Sequence, residues 1–155
     1  MRCLATASLA KLIWAINFMA FLLDTNIVSE LRKASRCSPS VRRWYEDVPF
    51  EEIFLSVLVF GEIRRGIENI RRRDAAAAGM LERWSRGLRS AHAERVLPVT
   101  LEICELWGRL SVLHPIPDVD GLLAATAQHY DLTVATRNTR DFQRCGVDFI
   151  NPFEL

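Results

Sequence analysis

A chain of 155 residues, half of them hydrophobic and a quarter charged, has the size of one ordinary domain and can enclose a real core. That balance excludes a disordered chain, and a net charge of +1 offers no overall basicity to draw in a nucleic acid. The charge is unevenly spread: between Arg64 and Arg95 nine arginines meet four acids, leaving the rest of the chain at −4. Either the outer faces of two helices are arginine-rich and simply solvated, or a positive surface lies beside an acidic remainder, as a polyanion would need.

The first feature along the chain is the apolar run Leu12 to Leu23, LIWAINFMAFLL, preceded by Arg2 and Lys11. It has the outline of a signal peptide but is too short for a membrane span, which takes about 20 residues. No small-residue cleavage site follows, since the run continues directly into LLDTN. Residues 1–18 therefore read best as an extension upstream of a start at Met19, with one domain over 19–155. Secretion is the alternative.

Phe21-Leu22-Leu23 is a short strand ending in the polar turn Asp24-Thr25-Asn26. Helices are expected over 27–33 and 38–47, and a second strand at Phe54-Leu55. Val59, Ile63, Gly66, Ile67 and Ile70 recur at helical spacing. Asp74 then caps a helix whose inner side carries Met80, Leu81, Trp84 and Leu88. Val96-Leu97-Pro98-Val99 leads to a helix over 101–113. Asp118 is placed to cap a helix through Tyr130, and strands follow at 132–135 and 147–150. Strands alternating with helices, with no hairpin signal, predict an α/β fold: one parallel sheet of about five strands with helices on both faces.

Four scattered cysteines, Cys3, Cys37, Cys104 and Cys145, form no CxxC and sit near no histidine pair, which excludes a zinc ribbon or finger. They are expected to be buried, reduced thiols. Trp14, Trp44, Trp84 and Trp107 are core or interface candidates, with core the safer expectation.

Open α/β sheets place their sites at the carboxyl ends of strands. Asp24 sits just past the first strand, and Asn138 and Asp141 just past the fourth. Glu62 and Asp120 lie in early turns of helices. Each has an ordinary structural reading: Asp24 could cap a helix, Asp118 and Asp120 suit a helix N-terminus, and Asp141 could tie its own turn. Brought together, however, several carboxylates repel one another unless a divalent cation neutralises them. Oxygen-only ligands favour Mg²⁺ or Mn²⁺ over zinc. Mg²⁺ beside a polyanion is what phosphodiester hydrolysis needs, since the metal activates water and stabilises the leaving oxygen.

LLDTNIVSELRK, SVLVFGEIRRGIE, DGLLAATAQHYDLTVATRNTRDF and the closing NPFEL resemble the motif blocks of the PIN-domain family, and within it the VapC- and FitB-type toxins. The resemblance runs from Met19 to Leu155, and the spacings of 38, 58 and 18 residues between Asp24, Glu62, Asp120 and Asn138 carry it better than any single block. It implies a Mg²⁺-dependent endoribonuclease, the toxin of a bacterial type II toxin–antitoxin pair, cytoplasmic, with Mn²⁺ a possible substitute. Asp24, Glu62 and Asp120 match the family's three core acids, with Asp24 and Asp120 as metal ligands. Asp120 rather than Asp118 matches because it directly precedes Gly121-Leu122-Leu123-Ala124-Ala125. The fourth acid falls at Asn138, a departure that removes a charge, and Asp141 is the nearest residue able to compensate. Thr136 matches a position that helps hold metal or phosphate, and Asn26 one that orients the first Asp. Arg64, Arg65, Arg137 and Arg140 flank the acidic blocks and are candidates for RNA phosphates.

The partners so implied are RNA, a second copy of the chain, and a small antitoxin whose tail plugs the acids with an arginine and docks on apolar surface. DNA would be met only through the antitoxin, and no membrane is involved. His92, His114 and His129 match none of the blocks. A haloacid-dehalogenase-type phosphatase would need a second Asp two residues after Asp24, where Asn26 stands. The remaining alternative is a weak or inactive PIN-fold binding module that serves only autoregulation with a DNA-binding antitoxin.

Overall fold

The computed structural model describes residues 19–113 and 115–155; the apolar run before Met19, with Cys3 and Trp14, and His114 lie outside the described residues. The elements alternate as expected. Strand β1 (Phe21–Leu23) leads to helices α1 (Thr25–Leu31) and α2 (Pro39–Asp47), then β2 (Ile53–Ser56) to α3 (Val57–Arg71) and α4 (Ala75–Ala91). Strand β3 (Val96–Leu97) leads to α5 (Leu101–Leu113) and α6 (Asp118–Tyr130), then β4 (Thr133–Ala135), α7 (Thr139–Arg144) and β5 (Phe149–Ile150). A short 3₁₀ turn, Pro152–Glu154, closes the chain.

The five strands form one parallel sheet in the order β3-β2-β1-β4-β5. The first half of the chain builds outward from β1 on one side and the second half on the other. The strand order therefore reverses at β1, and the crevice between β1 and β4 is the switch point where such sheets bind ligands. Alternation along β1 decides what each face buries. Phe21 and Leu23 enter a core with Ile27, Val41, Trp44, Val59, Ile63 and Ile67 under α1–α4. Leu22 enters a second with Leu123, Ala124, Val134 and Phe142 under α6 and α7. Both faces are covered, which is why these strands are continuous apolar runs.

Local signals set several boundaries. The Ser56 hydroxyl accepts from Leu58 N at 3.2 Å to start α3, and Asp74 accepts from Ala77 N at 2.9 Å to start α4, as expected. At the end of α6, Asp131 takes the left-handed conformation with φ 55°.

Other expectations are corrected. Asp118 does not cap α6: it is the first helical residue, Pro117 precedes it, and no side chain caps that end. Met80 is 60% exposed rather than inward, because Ala78 takes the buried position of the first turns of α4. The inner face of α3 ends at Ile67, with Gly66 and Ile70 exposed. Of the described cysteines, Cys37 and Cys145 are buried thiols but Cys104 is exposed. Trp44 lies in the core, whereas Trp84 and Trp107 are only partly buried.

Candidate active site

The carboxyl end of β1 holds the centre of the site. Asp24 follows Leu23 and is buried, and its backbone N–H donates to Ala135 O of β4 at 3.0 Å, continuing the parallel pairing one residue past the strand. Its side chain also begins α1, accepting from Thr25 N at 2.6 Å. The capping reading of Asp24 is thus borne out, and the same carboxylate stands at the carboxyl end of β1, where the sequence placed a candidate site.

Three neighbours fix its carboxylate. Asn26 Nδ2 donates to Oδ2 at 2.6 Å and Thr136 Oγ1 donates to the same oxygen at 2.7 Å. Asn26 Oδ1 in turn accepts from Arg137 N at 3.0 Å, tying the start of α1 to the end of β4. Thr136 Oγ1 accepts from Asn138 N at 2.9 Å. Burial nevertheless pushes the Asp24 carboxyl up, partly offset by the Thr136, Thr25 and Asn26 bonds, with Glu62 adding repulsion.

Two arms extend from this centre. On the α3 side, Thr25 Oγ1 donates a short hydrogen bond to Glu62 Oε2. On the α6 side, Asn138 Nδ2 donates to Asp120 Oδ2 at 3.3 Å and to Asp141 Oδ2 at 2.8 Å. Asp120 is half-buried, and its carboxyl is pushed up to about 6, first by burial, then by the charges of Asp24, Asp141 and Glu62, with Asn138 pulling the other way. Four acids thus feel one another at a single rim, linked by Thr25, Thr136, Asn26 and Asn138.

Hydrogen bonds and the raised Asp120 carboxyl relieve part of this repulsion, and a bound cation would relieve the rest. The donors at the rim are all oxygens, which suits a hard divalent ion better than zinc. Among the described residues no group of three His, Cys, Asp or Glu closes on one point as a chelate. The rim fits an ion held by one or two carboxylates and otherwise by water.

The arginines differ in placement. Arg64 and Arg71 are locked in a ladder with Glu68 and Glu82 on the outer faces of α3 and α4, so Arg64 is turned away from the acids. Arg65 reaches Glu62 at 3.7 Å. Arg137 is exposed and stacks over the Phe153 ring at 4.8 Å. Arg140 is exposed on α7. Asp118 is exposed and, among the described residues, makes no side-chain hydrogen bond. His92 is buried against Phe50 and bonded to Leu88 O, and His129 packs on Tyr130, both outside the rim.

Thr25 and Phe153 were not legible as site residues. Thr25 joins the site through its N–H to Asp24 and its hydroxyl to Glu62, and Phe153 through Arg137; only the position of Thr25 directly after the strand-end acid hinted at it.

A family profile for the PIN domain matches residues 21–147. The chain belongs to the PIN-domain family. It is 34% identical over 143 aligned positions to a VapC ribonuclease of Sinorhizobium fredii, covering 86% of this chain and 97% of that one. It is 30% identical over 142 positions to toxin FitB of Neisseria gonorrhoeae, covering 85% and 97%. Its fold superposes on the solved FitAcB structure from Neisseria gonorrhoeae with a TM-score of 0.79 and 29% identity, covering 87% of this chain and 99% of that one. These relatives place it in the VapC/FitB branch of the PIN family. Among the described residues no helix is long and apolar enough to cross a membrane.

Proposed function

We propose that this PIN domain is a Mg²⁺-dependent endoribonuclease, the toxin of a bacterial type II toxin–antitoxin pair acting in the cytoplasm. The observation that carries the reading is the meeting of Asp24, Glu62, Asp120 and Asp141 through one hydrogen-bonded chain at the switch point of the sheet. Asp24 and Asp120 would hold the cation, with Mn²⁺ an acceptable substitute. When bound, it neutralises phosphate oxygens and raises the acidity of water.

The protein's own residues do the rest. Glu62, aimed by the Thr25 hydroxyl, accepts the proton of the attacking water. Asn26 and Thr136 keep the Asp24 carboxylate turned toward the rim. Asn138 holds Asp120 and Asp141 together in place of a further charge. Arg65, Arg137 and Arg140 supply positive charge for phosphates. Arg64 contributes through its acidic ladder to the shape of the α3–α4 hairpin rather than to the substrate.

The partner reading has its own support. A groove of about 160 Å³ begins at Thr25 and Glu62 and runs past Ile63 and Ile67 to Leu81 and Trp84. An apolar antitoxin segment laid there would place a terminal arginine among the acids. Solved relatives include a FitAB structure bound to a DNA fragment, which accords with DNA being met through the antitoxin. The toxin is taken to act as a homodimer.

Purified protein, freed of antitoxin, is expected to cut a labelled RNA pool with Mg²⁺ and not with EDTA. Asp24→Asn, Glu62→Gln and Asp120→Asn should each lower the rate by at least about 100-fold, the lower range for an acid–base or metal-holding group. Equal rates in wild type and variants would defeat the assignment. Absence of cleavage by folded, metal-loaded wild type would favour the binding-module reading, for which the uncharged Asn138 is the specific observation.

A further inference from the structure

Among the described residues, Arg137 is the rim arginine whose guanidinium lies over an aromatic ring. Its guanidinium carbon lies 4.8 Å from the Phe153 ring centroid, a cation–π contact. Both halves of the pair are anchored. The Arg137 backbone N–H donates to Asn26 Oδ1 at 3.0 Å, and Asn26 also holds Asp24. Phe153 packs against the core beneath α1–α4, and its own N–H is tied to Asn151 Oδ1 at 3.2 Å. Pro152, buried, stiffens the same turn. In sequence, Arg137 stands between Thr136, bonded to Asp24, and Asn138, bonded to Asp120.

A guanidinium gripped only for its charge needs no ring behind it. Among the described residues Arg137 has no ion pair within 4.0 Å, in contrast to Arg64, Arg65 and Arg71, although its charge contributes, after Lys33 and Ser38, to holding the Glu30 carboxyl low. The residue is exposed while its guanidinium carbon lies over the Phe153 ring. Unpaired nucleobases stack on such guanidinium planes as well as on aromatic rings.

We infer that Arg137, backed by Phe153, is a stacking platform for an unpaired base flanking the phosphate that the acids engage. The inference rests on the ribonuclease reading and adds to it a positioning pair: the base next to the reacting phosphate would be held against Arg137. Lysine would keep the charge but lose the plane, so it is not a conservative replacement here.

A binding cycle separates stacking from charge. Single-stranded RNA carrying one abasic position, scanned along its length, is titrated in Mg²⁺ onto Asp120→Asn protein, which keeps substrate intact, and onto Asp120→Asn with Arg137→Lys. At one position of the scan, removal of the base should weaken binding roughly tenfold with Arg137 present, the size of one base stack, and hardly at all with lysine. Phe153→Leu, which keeps apolar volume in the turn, should also shrink that penalty. Equal base penalties with arginine and lysine at every position would leave Arg137 a phosphate contact and overturn the platform, as would failure to bind any single strand. Coupling found in a protein whose wild type cuts no RNA would sustain the platform and sink the nuclease reading. Cleavage by wild type without coupling would do the reverse.

Discussion

Asn138 is an uncharged donor that bridges two carboxylates, to Asp120 at 3.3 Å and to Asp141 at 2.8 Å. An acid there, Asn138→Asp, turns both contacts repulsive. The metal-free protein should then lose about 1–2 kcal/mol, the scale of losing hydrogen bonds to charged groups, while the gain in Tm on adding Mg²⁺ grows. A variant with wild-type Tm in both conditions would show that Asn138 bridges nothing of consequence. Asp120 makes a second prediction, through pH. Its folded carboxyl titrates at about 6 against 3.8 ordinarily, so the folded state binds the extra proton between those values. Stability at this side chain is greatest below 3.8 and is lost as pH rises through 6, and the raised Asp24 carboxyl acts in the same direction. Metal-free Asp120→Asn should therefore be more stable than wild type at pH 7.5, by about 1 kcal/mol for a half-buried, partly screened group. The advantage should vanish near pH 4 and also on adding Mg²⁺ at pH 7.5. Thermal melts of both proteins check it, and a constant difference across pH would reject the mutual repulsion.

Helix α6 presents Asp120 to the rim, and its seat depends on the next residue. A Cβ at Gly121 would lie 2.8 Å from Trp107 Cδ1 and 3.0 Å from Nε1, so α5 and α6 touch through the missing side chain. Gly121→Ala gains about 1 kcal/mol of helix propensity but overpacks the ring, which costs about 1–3 kcal/mol. The clash should win: denaturant midpoints should fall, and activity should fall further because Asp120 moves with the helix. A midpoint at or above wild type would mean that Trp107 swings aside freely. At this scale much was readable from sequence. The apolar runs placed the strands, and the side-chain caps of Ser56 and Asp74 are of the ordinary kind. Exposure of Met80 and the uncapped start of α6 were not readable, because each depends on which neighbour fills a space. That Asp24, Glu62 and Asp120 meet at one rim was readable because strand ends and motif spacing mark them. Thr25 and Phe153 were missed because a single long-range contact leaves no periodic trace.

Across the whole molecule, strand order and charge work together. Reversal of the sheet at β1 brings Asp24, from near the start of the described chain, beside Thr136 and Asn138 from its last third. The arginine excess between Arg64 and Arg95 is partly consumed by the ladder of Arg64 and Arg71 with Glu68 and Glu82. Some arginines therefore tie α3 to α4, while Arg72, Arg73, Arg83, Arg86 and Arg89 stand exposed, as the solvated-face reading expects; on the ribonuclease reading they would add positive charge beside the acids. On the proposed function, the acids gathered at this rim direct water onto RNA phosphorus with a divalent cation in place. Mapping the ends of the Mg²⁺-dependent products by enzymatic ligation and mass spectrometry tests it most directly. The account predicts 5′-phosphate and 3′-hydroxyl ends, lost together in Asp24→Asn and Asp120→Asn. Ends bearing 2′,3′-cyclic phosphate and 5′-hydroxyl would mean attack by the RNA's own hydroxyl, and would contradict it.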